Sequence, residues 1–144
     1  WNSKYEVDEY ITGKEPSRWL EDNAGLLAKS GKALDIAGGE GRNSVFAASK
    51  GYEVTCLDIS ENGLRKAEVL AQEKNTKITT VLADLDSGSL KENKYDLILC
   101  FNFLERSLFS GIHQALKPGG LLFYETFTVD YLKYSSFKKE WVLI

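Results

Sequence analysis

The chain has 144 residues, of which 43% are hydrophobic and 27% charged, with a net charge of −3. That length suits one domain with its own core, and the negative balance argues against a nucleic-acid partner, which needs a concentrated basic face. No apolar run approaches the roughly 20 residues of a membrane helix, no signal-peptide pattern opens the chain, and the small basic cluster Lys133, Lys138 and Lys139 reads as a solvated tail.

After a polar, aromatic opening with Trp1, Tyr5 and Tyr10, the stretch Gly13-Lys-Glu-Pro16 introduces a helix. Proline suits its first turn, Trp19, Leu20, Ala24 and Leu27 mark one apolar face, and Gly31 ends it. A strand is expected over about 33–37, then a helix over about 42–50 with Val45, Phe46 and Ala48 inward and Gly51 past its end. A second strand covers about 53–57. Ser60 is the expected N-cap of a helix over about 61–74, buried through Leu64, Ala67, Leu70 and Ala71. Ile78 to Leu82 is strand three, rich in β-branched residues.

Asp84-Leu-Asp-Ser-Gly88 interrupts the pattern. Tyr95 to Phe101 then forms a continuous apolar strand, as expected where both sheet faces are covered. A helix over about 107–116, buried through Leu108, Ile112, Ala115 and Leu116, leads to the tight turn Lys117-Pro-Gly-Gly120. Leu121 to Thr126 is the fifth strand. Alternating strands and helices imply a doubly wound, mainly parallel α/β sheet with helices on both faces. Cys56 and Cys100 fall in predicted buried strands and read as core thiols of a reducing cytoplasm, not as metal or redox groups. His113 is expected on a helix surface, and Asp96 as a structural residue at strand entry.

The chemistry is carried by two strand ends. Lys32-Ala-Leu-Asp-Ile-Ala-Gly-Gly-Glu-Gly-Arg-Asn43 reads as a strand, an acid, a glycine-rich turn and a helix start. Glu53 to Asp58 is a strand ending in a second acid. A βαβ unit brings both to one sheet edge, where an adenosine-containing cofactor can lie. Glycine lets the backbone approach the ligand, and Asp58 can accept from both ribose hydroxyls. Asp58 could instead merely cap the helix near Ser60, and Asp84 could be an ordinary turn aspartate. Dinucleotide enzymes favour G-x-G-x-x-G, but Ser44 takes the third glycine's place here. Asp35 would also repel a pyrophosphate, whereas it would favour a cofactor bearing an ammonium and a sulfonium. S-adenosyl-L-methionine bears both.

Asp35-Ile-Ala-Gly-Gly-Glu-Gly-Arg-Asn43, Leu57-Asp-Ile-Ser60, Asp84-Leu85, Tyr95-Asp-Leu-Ile98 and Leu116-Lys-Pro-Gly-Gly120 occur in that order. Together they resemble class I S-adenosylmethionine-dependent methyltransferases, most closely the tellurite-resistance-type branch, over roughly residues 1–130. The resemblance implies a Rossmann-like methyltransferase fold in which Asp35, Ala37, Gly39 and Gly41 shape the site for the methionine part. It implies that Asp58 holds the ribose hydroxyls, Ile59 packs on the adenine, Asp84 and the Leu85 backbone meet its amino edge, and Phe101 lies near the sulfonium. Ala37 departs mildly from the glycine that often opens this turn.

The chain contains no methionine, so Trp1 is not a natural translation start, and the sequence stops at Ile144 in the approach to a helix. A C-terminally truncated domain lacking the family's closing strand pair is therefore expected. Residues 1–31 would form a helical cover, 32–130 the cofactor-binding core, and 131–144 a tail. The fifth strand would be left as an edge, open to a homodimer through that edge or through Tyr131, Phe137, Trp141 and Leu143 of the tail. The expected function is methyl transfer from S-adenosyl-L-methionine to a small-molecule acceptor. A cofactor-binding or structural remnant without turnover, and a nicotinamide-dependent oxidoreductase, are the alternatives. Asn102, Arg106, Tyr124 and Glu125 stand at the carboxyl edge, but they form no acid–base constellation, so no catalytic residue is named.

Overall fold

The fold was obtained as a computed structural model, which describes residues 1–85, 90–91 and 93–133. The predicted break at Asp86, Ser87 and Gly88 lies outside the described residues, as do Lys138, Lys139, Phe137, Trp141 and Leu143. Five parallel strands are joined in the order β3-β2-β1-β4-β5, with β1 at Gly31–Ile36, β2 at Tyr52–Asp58, β3 at Thr79–Leu82, β4 at Tyr95–Phe101 and β5 at Leu116–Glu125. The helices are α1 (Arg18–Asp22), α2 (Arg42–Ser49), α3 (Glu61–Glu73) and α4 (Phe109–Ala115). Among the described residues no helix is long and apolar enough to cross a membrane.

The two-residue period of the central strands divides the core between the sheet faces. Ala33, Leu97, Leu99, Phe101 and Phe123 pack with Leu20 and Ala47 on one side. Leu34, Ile36, Ile98 and Cys100 pack with Leu108, Ile112 and Ala115 on the other. Strands apolar on both faces are what a doubly wound sheet requires. Both cysteines are buried and free, and His113 is exposed. Asp96 accepts the Lys32 amide at 2.8 Å and lies 3.4 Å from the Lys117 ammonium, tying the entries of β1, β4 and β5 together.

Three expectations need correction. The first helix is one short piece, because Asn23 closes it through its amide side chain on the Trp19 carbonyl at 2.8 Å; a 3₁₀ turn over Ala24–Leu26 follows. In α2 Val45 is buried as expected, but the other buried apolar position is Ala47, while Phe46 and Ala48 are only partly covered. The turn at Lys117–Gly120 does not precede β5 but interrupts it: Tyr95 pairs with Leu116, and Leu97 with Leu121. Pro118 has no amide to give to the ladder, and Gly119 takes φ +81°. Beyond it β5 pairs along β4, and among the described residues its outer edge has no partner strand.

Candidate functional site

The carboxyl ends of β1, β2 and β4 open on a cavity of about 530 Å³. Ligands of open α/β sheets bind at this edge, where the strand order reverses between β1 and β4. The glycine turn after β1 carries positive φ at Ala37 (55°), Gly39 (55°) and Gly41 (85°). Gly41 then starts α2, and Val45 donates its amide to the Gly41 carbonyl at 2.8 Å.

Asp58 organises the turn. Its two oxygens accept from the amides of Gly39 and Ser60, each at 2.8 Å. The helix cap is Ser60, whose hydroxyl accepts from the Gly63 amide. A carboxylate has about four acceptor positions, so Asp58 retains lone pairs toward the cavity it lines.

Asp35 is almost fully buried and accepts the Ser44 hydroxyl at 2.6 Å. Burial pushes its carboxyl up to about 7; Ser44 opposes the shift, and the negative charge of Asp58 adds to it. Arg42, immediately after the turn, acts on it through space in the opposite direction.

Asp35, Ala37, Gly39, Asp58, Ile59, Asp84, Leu85 and Phe101 all line the cavity. Gly41 does not; a Cβ there would sit 2.5 Å from the Ala67 Cβ, so its work is packing the turn on α3. Ala37 is less innocent than a mild replacement, because a side chain at φ 55° is in the left-handed region that L-residues disfavour. Ile59 is 61% exposed beside Asp58, an apolar surface that a flat ring can cover. Of the four carboxyl-edge residues, Asn102 lines the cavity. Tyr124 gives its hydroxyl to the Phe103 carbonyl at 2.7 Å, and Glu125 accepts the Ser17 hydroxyl at 3.3 Å.

Sequence reasoning missed Glu40 and the wall it builds. This buried carboxylate accepts the amides of Ile11 and Thr12 at 3.1 and 2.9 Å, the Thr12 hydroxyl at 3.0 Å and the Lys66 ammonium at 2.9 Å. Burial disfavours its ionised form, but these donors together hold its carboxyl below the usual range. Ile11 and Thr12 are thereby brought to line the cavity, beside Trp1 and Tyr5, whose segment is held by Asn2 against Ser60 and Asn62. The available signal was a charged residue inside an otherwise small-residue turn. Phe103, Phe127 and Tyr131 also line the cavity, the last two stacked with ring centroids 4.3 Å apart.

Residues 33–120 match the family described as "Methyltransferase domain". The chain belongs to this methyltransferase-domain family. It is 35% identical over 89 residues to TehB of Haemophilus influenzae, a protein named for S-adenosyl-L-methionine-dependent methyl transfer; the match covers 60% of this chain and 31% of that protein. It is 30% identical over 121 residues to a ubiquinone biosynthesis O-methyltransferase of Vibrio atlanticus, covering 80% and 50%. The crystal structure of an S-adenosylmethionine-dependent methyltransferase from Mesorhizobium loti superimposes with a TM-score of 0.67 at 29% identity, covering 81% and 56%. The chain thus spans between about a third and a half of the curated relatives it matches. The five-motif resemblance to class I methyltransferases of the tellurite-resistance type holds, with TehB among the relatives.

Proposed function

We propose that this chain transfers a methyl group from S-adenosyl-L-methionine to a small-molecule acceptor in the cytoplasm. The observation that carries the reading is the charge of the cavity: Asp35, Asp58 and Asp84 line it around the glycine turn, the charge of Glu40 within the turn being met by Lys66, with Arg42 the one cationic side chain among the described lining residues. A pyrophosphate would meet repulsion there, whereas a cofactor carrying an ammonium and a sulfonium gains attraction. Family membership and the cofactor in the relatives' names point the same way. The free, buried cysteines fit a reducing compartment.

The lining side chains suit this cofactor. Asp58 offers its remaining lone pairs to the ribose hydroxyls, Ile59 offers apolar surface to the adenine, and Asp84 with the Leu85 backbone borders the base. Gly39 lets the backbone approach the methionine part, and Asp35 favours positive charge near it. S-adenosyl-L-methionine supplies a methyl on an electron-poor sulfur. Phe101, Phe103, Phe127 and Tyr131 would exclude water and align the acceptor, which is most of what an in-line displacement asks of a protein. A sulfur, selenium or tellurium nucleophile needs no general base, in keeping with the lack of an acid–base pair among the described lining residues. Leu122, 42% exposed on β5, also suits pairing of two copies along that edge; light scattering over a dilution series would show it.

Calorimetry with S-adenosylhomocysteine and with NAD tests the cofactor. Binding of the first alone is expected. Binding of NAD alone would make the site a nicotinamide site, and binding of neither would leave a fold without this function.

A further inference from the structure

We propose that the methyl acceptor is a flat aromatic thiol, taken as its thiolate, and not an oxyanion. The inference rests on the S-adenosyl-L-methionine reading above and concerns the part of the cavity left for the second substrate. The sheet order divides the lining in two. Asp35 lies in β1, Asp58 ends β2 and Asp84 follows β3, so these acids, with Arg42 at the start of α2, come from the β3-β2-β1 half. Phe101 ends β4, with Asn102 and Phe103 next, Phe127 follows β5, and Tyr131 lies in the 3₁₀ turn Val129–Lys133. Phe101 pairs with Glu125 across β4 and β5, and the Asn102 amide donates to the Glu125 carbonyl at 2.8 Å. The β4-β5 half is therefore aromatic, and its polar lining side chains are an amide and a phenol, Asn102 and Tyr131.

The rings of this half are held in place. The Phe103 carbonyl accepts the Tyr124 hydroxyl at 2.7 Å and the Cys100 thiol at 3.6 Å, and Asn102 turns the chain at φ 58° just before that anchor. Phe127 and Tyr131 stack with their planes 20° apart. An aromatic guest gains both burial and ring contact on such a surface. A selenite or tellurite oxyanion would lose strongly held water there, with no cationic side chain among the described lining residues of this half to replace it. An aryl thiolate carries a softer, weakly hydrated charge spread into its ring, and the cofactor's sulfonium would meet it.

The nucleophile follows from the same lining. Among the described lining residues of this half none is an acid or a histidine, and the Glu125 carboxylate nearby accepts from Ser17. A phenol or an alcohol would have no group to take its proton. An aromatic thiol has largely given its proton to water at neutral pH, and the thiolate is the reactive form. Its sulfur lone pair forms the new bond to the methyl carbon while the bond from that carbon to the cofactor's sulfur breaks. The breaking pair neutralises the sulfonium, so two opposite charges vanish together, a change that a water-poor aromatic wall favours.

The test uses the full chain with S-adenosyl-L-methionine and four acceptors: thiophenol, phenol, 2-mercaptoethanol and sodium selenite, with products read by mass spectrometry. Thiophenol should be methylated to thioanisole in preference to the other three. Thioanisole should also bind, by calorimetry, to the chain loaded with S-adenosylhomocysteine, a readout that needs no turnover. Phe103→Ala should weaken thioanisole and raise KM for thiophenol about tenfold, the scale of one lost ring contact, while S-adenosylhomocysteine affinity changes by less than about twofold. Phe103→Tyr, which keeps the ring, should restore both, and Phe127→Leu asks the same question if the alanine variant does not fold. A preference for any of the other three acceptors would overturn the proposal, as would an absence of thioanisole binding or an unchanged KM in Phe103→Ala. A chain that binds S-adenosylhomocysteine yet methylates none of the four would overturn it and leave the cofactor reading standing. A chain that does not bind S-adenosylhomocysteine would sink that reading, and this proposal with it.

Discussion

The carboxylate of Asp58 accepts the amide of Gly39 at 2.8 Å, so the acid ending β2 latches the glycine turn that follows β1. One residue therefore shapes the turn and faces the cavity. Asp58→Ala should weaken S-adenosylhomocysteine binding by about 1.5–3 kcal/mol, or roughly 10- to 100-fold. It should also lower the melting temperature, because the buried Gly39 and Ser60 amides lose their acceptor. A folded variant with unchanged affinity would leave Asp58 as a latch only.

The division between what the sequence discloses and what it conceals has a physical cause. β4 was legible to the residue at Tyr95–Phe101, because a strand covered on both faces is a continuous apolar run. Ser60 was legible as a cap because its bond to Gly63 is local. Motif order singled out nine residues as expected cofactor contacts, and eight of them line one cavity. Glu40 escaped because its partners lie 26 to 29 residues away in the chain, Ile11 and Thr12 on a segment with no periodic pattern and Lys66 on a helix whose period marks only its buried face. The Lys117–Gly120 turn was recognised, but not that the ladder resumes around it, since pairing register is a property of two strands and not of one.

Asp35 gives a pH dependence whose sign is fixed. Its carboxyl is raised from 3.8 to about 7, chiefly by burial. Between about pH 4 and 7 the folded state holds a proton that the unfolded chain has lost, so this group makes stability fall as pH rises through that window. Asp35→Asn can still accept from Ser44 and carries no charge. Its melting temperature should match the parent near pH 4 and exceed it at pH 8. The same change should weaken the cationic S-adenosyl-L-methionine more than the uncharged-sulfur product S-adenosylhomocysteine. Melting curves that run parallel across this pH range would remove Asp35 as the titrating group.

Gly39 and Gly41 look alike in sequence and should fail differently. A Cβ at Gly41 would lie 2.5 Å from the Cβ and 2.8 Å from the Cα of Ala67, so even Gly41→Ala should collapse thermal stability along with binding. A Cβ at Gly39 meets only the end of the Tyr5 side chain, its hydroxyl at 3.0 Å and its Cζ at 3.6 Å. Gly39→Val should therefore cost about 1–3 kcal/mol of backbone strain, yet abolish S-adenosylhomocysteine binding by filling the space the ligand needs. Thermal unfolding and calorimetry on the two variants separate the roles. If Gly39→Val unfolds as completely as Gly41→Ala, the whole turn is structural first.

Glu40 predicts how the amino-terminal wall is held. Residues 1–4, 6–9, 11 and 12 are exposed, and Tyr5 is the buried apolar anchor of this stretch, so polar contacts must do most of the fastening. The side chain of Glu40 is fully buried and that of Lys66 13% exposed. Removing one partner of such a pair strands the other, at a cost on the order of 3 kcal/mol. Because Glu40 is held below the usual carboxylate range, its contribution is complete at neutral pH and is lost as acid protonates it. Glu40→Ala should let the amides of Ile11 and Thr12 exchange with solvent far sooner, while the amides of β1 and β4 keep their protection. Cofactor affinity should fall with the loss of the wall formed by Ile11 and Thr12, and Glu40→Gln should fall less, since its amide oxygen still accepts. Hydrogen exchange read by segment decides the matter: protection lost evenly across the sheet would make Glu40 a global stabiliser and not the fastener of this wall.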